Sequence, residues 1–175
     1  MNNLRKTIKS MRDELNTQVA NDLSNQIFNN LLTLDIFNYQ NFFVYKSFRN
    51  EVSTKKLIDF LTAKNKTVAY PVTNSLDMWA GVPNSDSETK SKFGVDEPKD
   101  YFILDNIDAC FVPLVVADEN KNRLGFGKVY YDRFLSKNPC LKIGLAYEFQ
   151  VVRELSPNPW DVPLDIIVTE KRIIR

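Results

Sequence analysis

The apolar run Phe42-Phe43-Val44-Tyr45, the helical spacing of Leu57, Ile58 and Leu61, and a second run Thr67-Val68-Ala69-Tyr70 follow one another in that order. A strand with apolar side chains at successive positions is covered on both faces, as strands in helix-covered parallel sheets are. Two parallel strands require a crossover connection. The helical segment beginning at Ser53 or Thr54 supplies it, so the order predicts a parallel βαβ unit. Pro71 is read as the stop of the second strand, because proline cannot donate to the ladder.

The rest of the chain extends this pattern. Leu4, Ile8, Met11 and Leu15 recur at helical spacing, with Arg5, Lys9 and Arg12 as a neighbouring basic stripe. Thr17 is the expected cap of a second helix carrying Val19, Leu23, Ile27 and Leu31. Residues 76–82 read as a strand and the polar stretch 84–92 as a surface loop. The strongest strand signal spans 109–116, ahead of a glycine-containing loop and a helix over about 130–136. Segments 142–147 and 165–169 complete the strands. The expected fold is a three-layer α/β/α sandwich with a mostly parallel central sheet, Rossmann-like, in one domain spanning 1–175. Its ligand crevice should lie beyond the carboxyl ends of the strands.

Composition narrows the chemistry. The chain has no histidine, which excludes a Ser-His-Asp triad, a Cys-His pair and histidine-based metal sites. Cys110 and Cys140 are too few for a disulfide scaffold, and Cys110 reads as a small buried apolar residue. Any metal should therefore be hard and oxygen-ligated, magnesium first. With 23 basic and 22 acidic residues the net charge is +1, so nothing argues for nucleic-acid or membrane binding and any positive field is local. No run approaches a membrane span, and a cytoplasmic location is the default expectation.

The segment Asn122-Arg123-Leu124-Gly125-Phe126-Gly127-Lys128-Val129-Tyr130-Tyr131-Asp132-Arg133 concentrates the candidate chemistry. Gly125 and Gly127 can take unusual backbone angles and expose amides to phosphate oxygens. Lys128 and Arg123 can neutralise phosphate charge, and the start of the following helix adds a modest positive field. A structural turn is the alternative reading. The spacing is neither a Walker A loop nor a complete dinucleotide fingerprint. Asp132 is a candidate magnesium or water ligand, with a salt bridge or helix cap as the alternative. Asp165, at the mouth of the run Ile166-Ile167-Val168, is a possible second ligand or a cap.

The sequence resembles the 5-formyltetrahydrofolate cyclo-ligase family, also called methenyltetrahydrofolate synthetases, over nearly its whole length. The resemblance is strongest from Arg123 through Gly127 and from Tyr130 through Leu135. Supporting segments are Asn50-Glu51-Val52-Ser53-Thr54, Phe93-Gly94-Val95-Asp96-Glu97-Pro98, Lys142-Ile143-Gly144-Leu145-Ala146-Tyr147, and Asp161-Val162-Pro163-Leu164-Asp165 with Val168-Thr169-Glu170. It implies an ATP- and magnesium-dependent conversion of 5-formyltetrahydrofolate to 5,10-methenyltetrahydrofolate, with ADP and phosphate released, by a monomer. It further implies that Arg5, Arg123, Gly125, Gly127 and Lys128 contact ATP, and that Asp132 and Asp165 organise magnesium. Glu51 would orient folate, Tyr131 would enclose the reactive pocket, and Lys128, Tyr131 and Asp132 would form the catalytic group. Trp79 and Met78 are candidate pterin contacts, with core packing as the alternative.

Two positions depart from the family pattern. Val129 stands where glycine is common, and Met1 where a lysine is common, four residues before Arg5. If position 129 needs a left-handed backbone, a β-branched residue there costs roughly 1–2 kcal/mol. The Met1 α-amino group or Lys9 would then replace the missing ammonium charge. These departures keep open a folate- or nucleotide-binding protein with impaired catalysis, and a protein-interaction domain that retains the scaffold. Glu51, Lys128, Asp132 and Asp165 favour catalysis.

Overall fold

The computed structural model describes residues 2–127 and 129–175. Helix α1 (Asn2–Asp13) and helix α2 (Thr17–Leu31) precede strand β1 (Asn41–Val44), helix α3 (Lys55–Ala63) and strand β2 (Thr67–Thr73). Strands β3 (Met78–Pro83), β4 (Glu88–Lys90), β5 (Asp96–Pro98), β6 (Tyr101–Ile103), β7 (Ala109–Val112), β8 (Val116–Asp118) and β9 (Arg123–Leu124) follow. Helix α4 (Tyr130–Leu135), β10 (Leu141–Leu145), β11 (Val151–Val152), β12 (Ile166–Val168) and β13 (Ile173–Ile174) complete the chain.

Among the described residues the central sheet has eight strands in the order β13-β12-β10-β7-β1-β2-β3-β6. The inner strands β12, β10, β7, β1 and β2 are parallel, and the expected βαβ unit forms with Phe42 opposite Val68. β13 at one margin, and β3 and β6 at the other, pair antiparallel to their neighbours. Alternation along β1 explains the layering. Phe42 and Val44 point into a core shared with Ile27, Leu31, Leu57 and Leu61 of α2 and α3. Phe43 points into the opposite core, with Phe134 and Leu135 of α4. Cys110 is fully buried in that second core, as its apolar context predicts.

Several boundaries differ from the sequence expectation for local reasons. Asn16, not Thr17, caps α2, its side chain accepting from the Gln18 amide at 2.8 Å. β2 runs through Pro71; β1 pairs Thr67 to Ala69, so beyond Tyr70 no second strand requires the missing N–H. The segment expected to be one strand over 109–116 breaks at Pro113, and β8 joins a small sheet ordered β11-β8-β9. The stretch 84–92 is not wholly loop, since β4 forms a hairpin with β5.

The amino-terminal helix shows the largest departure. Leu4 and Ile8 pack on Val115, Val116, Leu124 and Leu155, as expected. Met11, expected on that apolar face, is 44% exposed, while Arg12 from the basic stripe is 1% exposed. Helix α1 is therefore rotated so that its basic face is turned into the protein.

Candidate active site

The carboxyl ends of the parallel strands open into a cleft of about 710 Å³, within the usual size of small-molecule sites. Its walls come from α1 (Arg5, Lys9, Arg12), from the segment after β1 (Tyr45, Lys46, Glu51), and from Thr73 and Met78 of β2 and β3. The β4–β5 hairpin contributes Phe93 and Glu97; the loop 123–127, Val129 and the start of α4 form the far side, with Asn158, Trp160 and Asp161.

Local chemistry holds these pieces in place. Thr54 at the start of α3 makes no side-chain cap; its hydroxyl donates instead to the Tyr45 carbonyl at 2.7 Å, tying the helix to the end of β1. Asn50 Nδ2 donates to the carbonyls of Arg12 and Leu15 at 3.0 Å, fixing the end of α1 against the segment that carries Glu51. The fully buried Asp118 accepts from the Asn122 and Leu155 amides, setting the turn that delivers Arg123. Lys46 pairs with Glu88, linking the hairpin to the cleft wall.

In the loop, Gly127 has φ +81° and Val129 has φ +58° with ψ +7°, so the left-handed turn at 129 is made by a β-branched residue. Gly125 has no positive φ, and a Cβ there would meet Arg123 Nη1 at an ordinary 3.7 Å. Neither backbone conformation nor crowding by the described residues demands glycine at 125. Arg5 lines the cleft beside this loop, its Nη1 3.9 Å from where a Cβ on Gly127 would sit. α4 is only six residues long, and Val129 provides no side-chain cap. Lys128 and Met1 lie outside the described residues.

Asp132 forms an ion pair with Arg123 at 2.8 Å, both side chains largely buried, and the same Oδ1 accepts from the Val162 amide. Its Oδ2 receives no hydrogen bond from the described residues. Asp161, also on the cleft wall, uses Oδ2 for the Asn158 amide and leaves Oδ1 open in the same sense. Asp165 is placed differently from the expectation. It is not part of the wall; its Oδ2 accepts from the Lys142 amide and pairs with Lys142 Nζ at 2.7 Å, where β10 and β12 begin. The expected Asp132–Asp165 pair is therefore not brought together, because the cleft lies at the opposite ends of those strands. No group of three or more acidic or cysteine side chains among the described residues is arranged around a metal position. Magnesium binds proteins through one or two carboxylates plus water and phosphate, so the open oxygens of Asp132 and Asp161 fit it.

Glu51 sits with its side chain 8% exposed, Oε2 accepting from the Phe48 amide at 2.9 Å. Burial raises its pKa above the ordinary carboxylate value, and the Phe48 hydrogen bond and Arg12 oppose that rise. Arg12 Nη1 lies 4.0 Å from Glu51 Oε1, close enough for Coulombic attraction and too far for a hydrogen bond. Tyr131 packs against Phe43 with ring centroids 6.1 Å apart, and burial holds its phenol well above its usual pKa, so it stays neutral. Trp79 is not on the wall; strand alternation gives that place to Met78.

One property unites the interior of the cleft. Arg12 Nε and Nη1, Arg123 Nε and the Tyr131 hydroxyl are buried without a hydrogen-bond partner among the described residues. Each is a donor. Sequence reasoning found Glu51, Tyr131, Arg123 and Asp132, but left Arg12 on a solvated stripe and passed over Asp161 and Trp160. The one signal for Arg12 was its spacing with Arg5 and Lys9.

Comparison with known proteins gives the chain's family and fold. The model of the 5-formyltetrahydrofolate cyclo-ligase family matches residues 1–170. The chain is 38% identical to the 5-formyltetrahydrofolate cyclo-ligase of Haemophilus influenzae, over 74% of this chain and 75% of that protein. It is 33% identical to the 5-formyltetrahydrofolate cyclo-ligase of Mycoplasma genitalium, over 95% and 96% respectively. The solved structure of Aquifex aeolicus 5,10-methenyltetrahydrofolate synthetase superposes with a TM-score of 0.89 at 31% identity, covering 99% of this chain and 91% of that one.

Proposed function

Because the chain belongs to the 5-formyltetrahydrofolate cyclo-ligase family, we propose that it converts 5-formyltetrahydrofolate to 5,10-methenyltetrahydrofolate with consumption of ATP and release of ADP and phosphate. The observation that carries this reading is the set of buried, unpartnered donors on Arg12, Arg123 and Tyr131 in one cleft. A buried donor left unmade costs about 1–3 kcal/mol. Such a cluster suits a ligand rich in acceptor oxygens, as a triphosphate and a formyl carbonyl are.

A formamide carbonyl is a poor electrophile and its oxygen a poor leaving group. Phosphorylation of that oxygen solves both problems, and N10 of the folate can then attack the formyl carbon and close the ring. We assign the phosphate side to Arg5, Arg123, the 125–127 backbone and Lys128. The folate side goes to Glu51, Tyr131 and Met78. Magnesium, when bound, supplies positive charge against the phosphates, and Asp132 with Asp161 would hold it. Arg123 fixes Asp132 through their 2.8 Å ion pair, while the neutral Tyr131 phenol donates without exchanging its proton. Most of the rate gain on this reading is alignment and electrostatics. Val129 in a left-handed turn supports a second reading, a protein that binds the same ligands with slowed chemistry.

We extend the proposal to one working domain over 1–175, monomeric and cytoplasmic. The test combines purified protein, 5-formyltetrahydrofolate, ATP and magnesium, following methenyltetrahydrofolate absorbance and ADP. ATP-dependent formation of both is expected. Folate binding without product selects the second reading, and neither binding nor product overturns both.

A further inference from the structure

Resting on the cyclo-ligase reading above, we propose that Arg12 is a catalytic residue: its guanidinium receives the oxygens on which charge develops while the phosphoryl group passes from ATP to the formyl oxygen. Arg12 is 1% exposed, yet its Nε and Nη1 have no hydrogen-bond partner among the described residues, and Glu51, 4.0 Å from Nη1, offers charge attraction but no hydrogen bond. A folded protein rarely tolerates a buried guanidinium with unmade donors, because their lost hydration is not replaced. The position is nevertheless well determined. Asn50 fixes the Arg12 carbonyl at 3.0 Å, and the Phe126 ring lies 5.5 Å from the guanidinium carbon. Donors held in place without a protein acceptor are preorganised for a ligand, and the planar fork matches two oxygens on one centre.

Its location selects which oxygens. Arg5 and Arg12 lie two turns apart on α1, about 10 Å along the axis at 1.5 Å per residue. Arg5 stands beside Gly127, whereas Arg12 stands under Phe126 and next to Glu51. Arg12 thus bridges the loop assigned to phosphates and the carboxylate assigned to folate. A group moving between the two passes it.

No proton is taken from or given to Arg12 in this step. A lone pair of the formyl oxygen forms the bond to the γ-phosphorus, and the bond from that phosphorus to the bridging oxygen breaks with its electron pair going to ADP. The N5 lone pair shifts into the carbon–nitrogen bond. N10 then attacks the formyl carbon, the carbon–oxygen bond breaks with its pair leaving on phosphate, and the N10 proton goes to phosphate. Arg12 remains a cation throughout and stabilises the equatorial oxygens in transit.

The competing account makes Arg12 a structural prop for Glu51, and the two differ in readouts besides rate. Turnover, ligand affinity by calorimetry and thermal midpoint are measured for the wild type, Arg12→Met and Arg12→Lys, with guanidinium added to Arg12→Ala. Removing one preorganised donor to a developing oxyanion typically lowers kcat 10²–10³-fold. Arg12→Met is expected to lose at least about a hundredfold in kcat, with ATP and folate affinities within about tenfold and a thermal midpoint equal to or above that of the wild type, since unmade donors are removed. Arg12→Lys, which keeps charge but not the fork, should recover less than a tenth of wild-type kcat, and guanidinium should raise Arg12→Ala turnover. Turnover of Arg12→Met and Arg12→Lys near the wild-type value overturns the proposal while leaving the cyclo-ligase reading intact. So does lost turnover with a lowered midpoint and no guanidinium response. A wild-type protein without ATP-dependent product instead sinks the cyclo-ligase reading, and the role of Arg12 with it.

Discussion

Replacing Val129 by glycine and, separately, by alanine measures the cost of the turn ahead of α4. Val129 holds φ +58° and ψ +7° and the residue is 41% exposed. Both substitutions remove the two methyl groups, so comparing the variants with each other cancels most of the lost side-chain contact. What remains is the Cβ atom in a left-handed backbone. That conformation costs an L-residue about 1–2 kcal/mol, and glycine escapes it while losing about 0.4–1 kcal/mol through a more flexible unfolded chain. The net expectation is about 0.5–1 kcal/mol in favour of glycine over alanine. At a residue with negative φ the order is reversed by about 0.5–1 kcal/mol, so the sign alone is diagnostic. For a chain of this length about 1 kcal/mol moves the thermal midpoint by about 2–4 °C. Calorimetric or circular-dichroism melting should therefore place Val129→Gly about 1–4 °C above Val129→Ala. An alanine variant melting at or above the glycine variant refutes the strain argument. In the methenyltetrahydrofolate absorbance assay Val129→Gly should also raise turnover or ATP affinity over wild type if the strained turn limits the phosphate loop.

Three further outcomes follow from the site and its surroundings. Burial raises the Glu51 pKa, so the folded protein retains a proton that the unfolded chain releases. Its contribution to stability is fully present below the ordinary carboxylate value of 4.5 and is lost as pH rises through the raised folded value. Glu51→Gln should accordingly gain stability relative to wild type as pH rises across that window, measured by urea unfolding at a series of pH values; a constant difference contradicts it. Asp132→Ala strands the buried Arg123 guanidinium and the Val162 amide; a loss of about 3–5 kcal/mol is expected in chemical denaturation, and a loss under about 1 kcal/mol would mean the pair is effectively solvated. Interaction with the neighbouring Cys110 lowers the Cys140 pKa from its ordinary value, while burial drives that of Cys110 well above it. Iodoacetamide followed by peptide mass mapping should modify Cys140 first, and equal labelling of Cys110 in the folded protein would count against that assignment.

The legible parts of the fold were those written in local periodicity. Phe42, Phe43 and Val44 form a continuous apolar run because each face of the inner sheet is covered by helices, and Leu57 and Leu61 mark the crossover helix by the same logic. Strands of two or three residues such as β11 and β13 leave no comparable periodicity, and the hairpin β4–β5 is polar enough to read as loop. Pro71 misled because its tolerance depends on which neighbour β2 lacks, information held by another strand. At the site, Arg123, Tyr131 and Asp132 were found together because they are close in sequence. Asp165 and Trp79 were misplaced because strand direction and strand face decide which residues reach a cleft.

By itself, the sequence determined the order of the main helices and inner strands, the exclusion of histidine chemistry, the charged glycine-containing loop and the family to which they point. Each is a property of residue identity and short-range spacing, which needs no knowledge of distant contacts. The tertiary structure decided that Val129 adopts the left-handed turn, that Asp161 rather than Asp165 faces the cleft, and that α1 turns Arg12 inward while Met11 meets solvent. Those outcomes depend on where β8, β9 and the Asn50 segment fix the rotation of α1 and the path of the loop. Side chains far apart in the chain set them, so no local pattern records them.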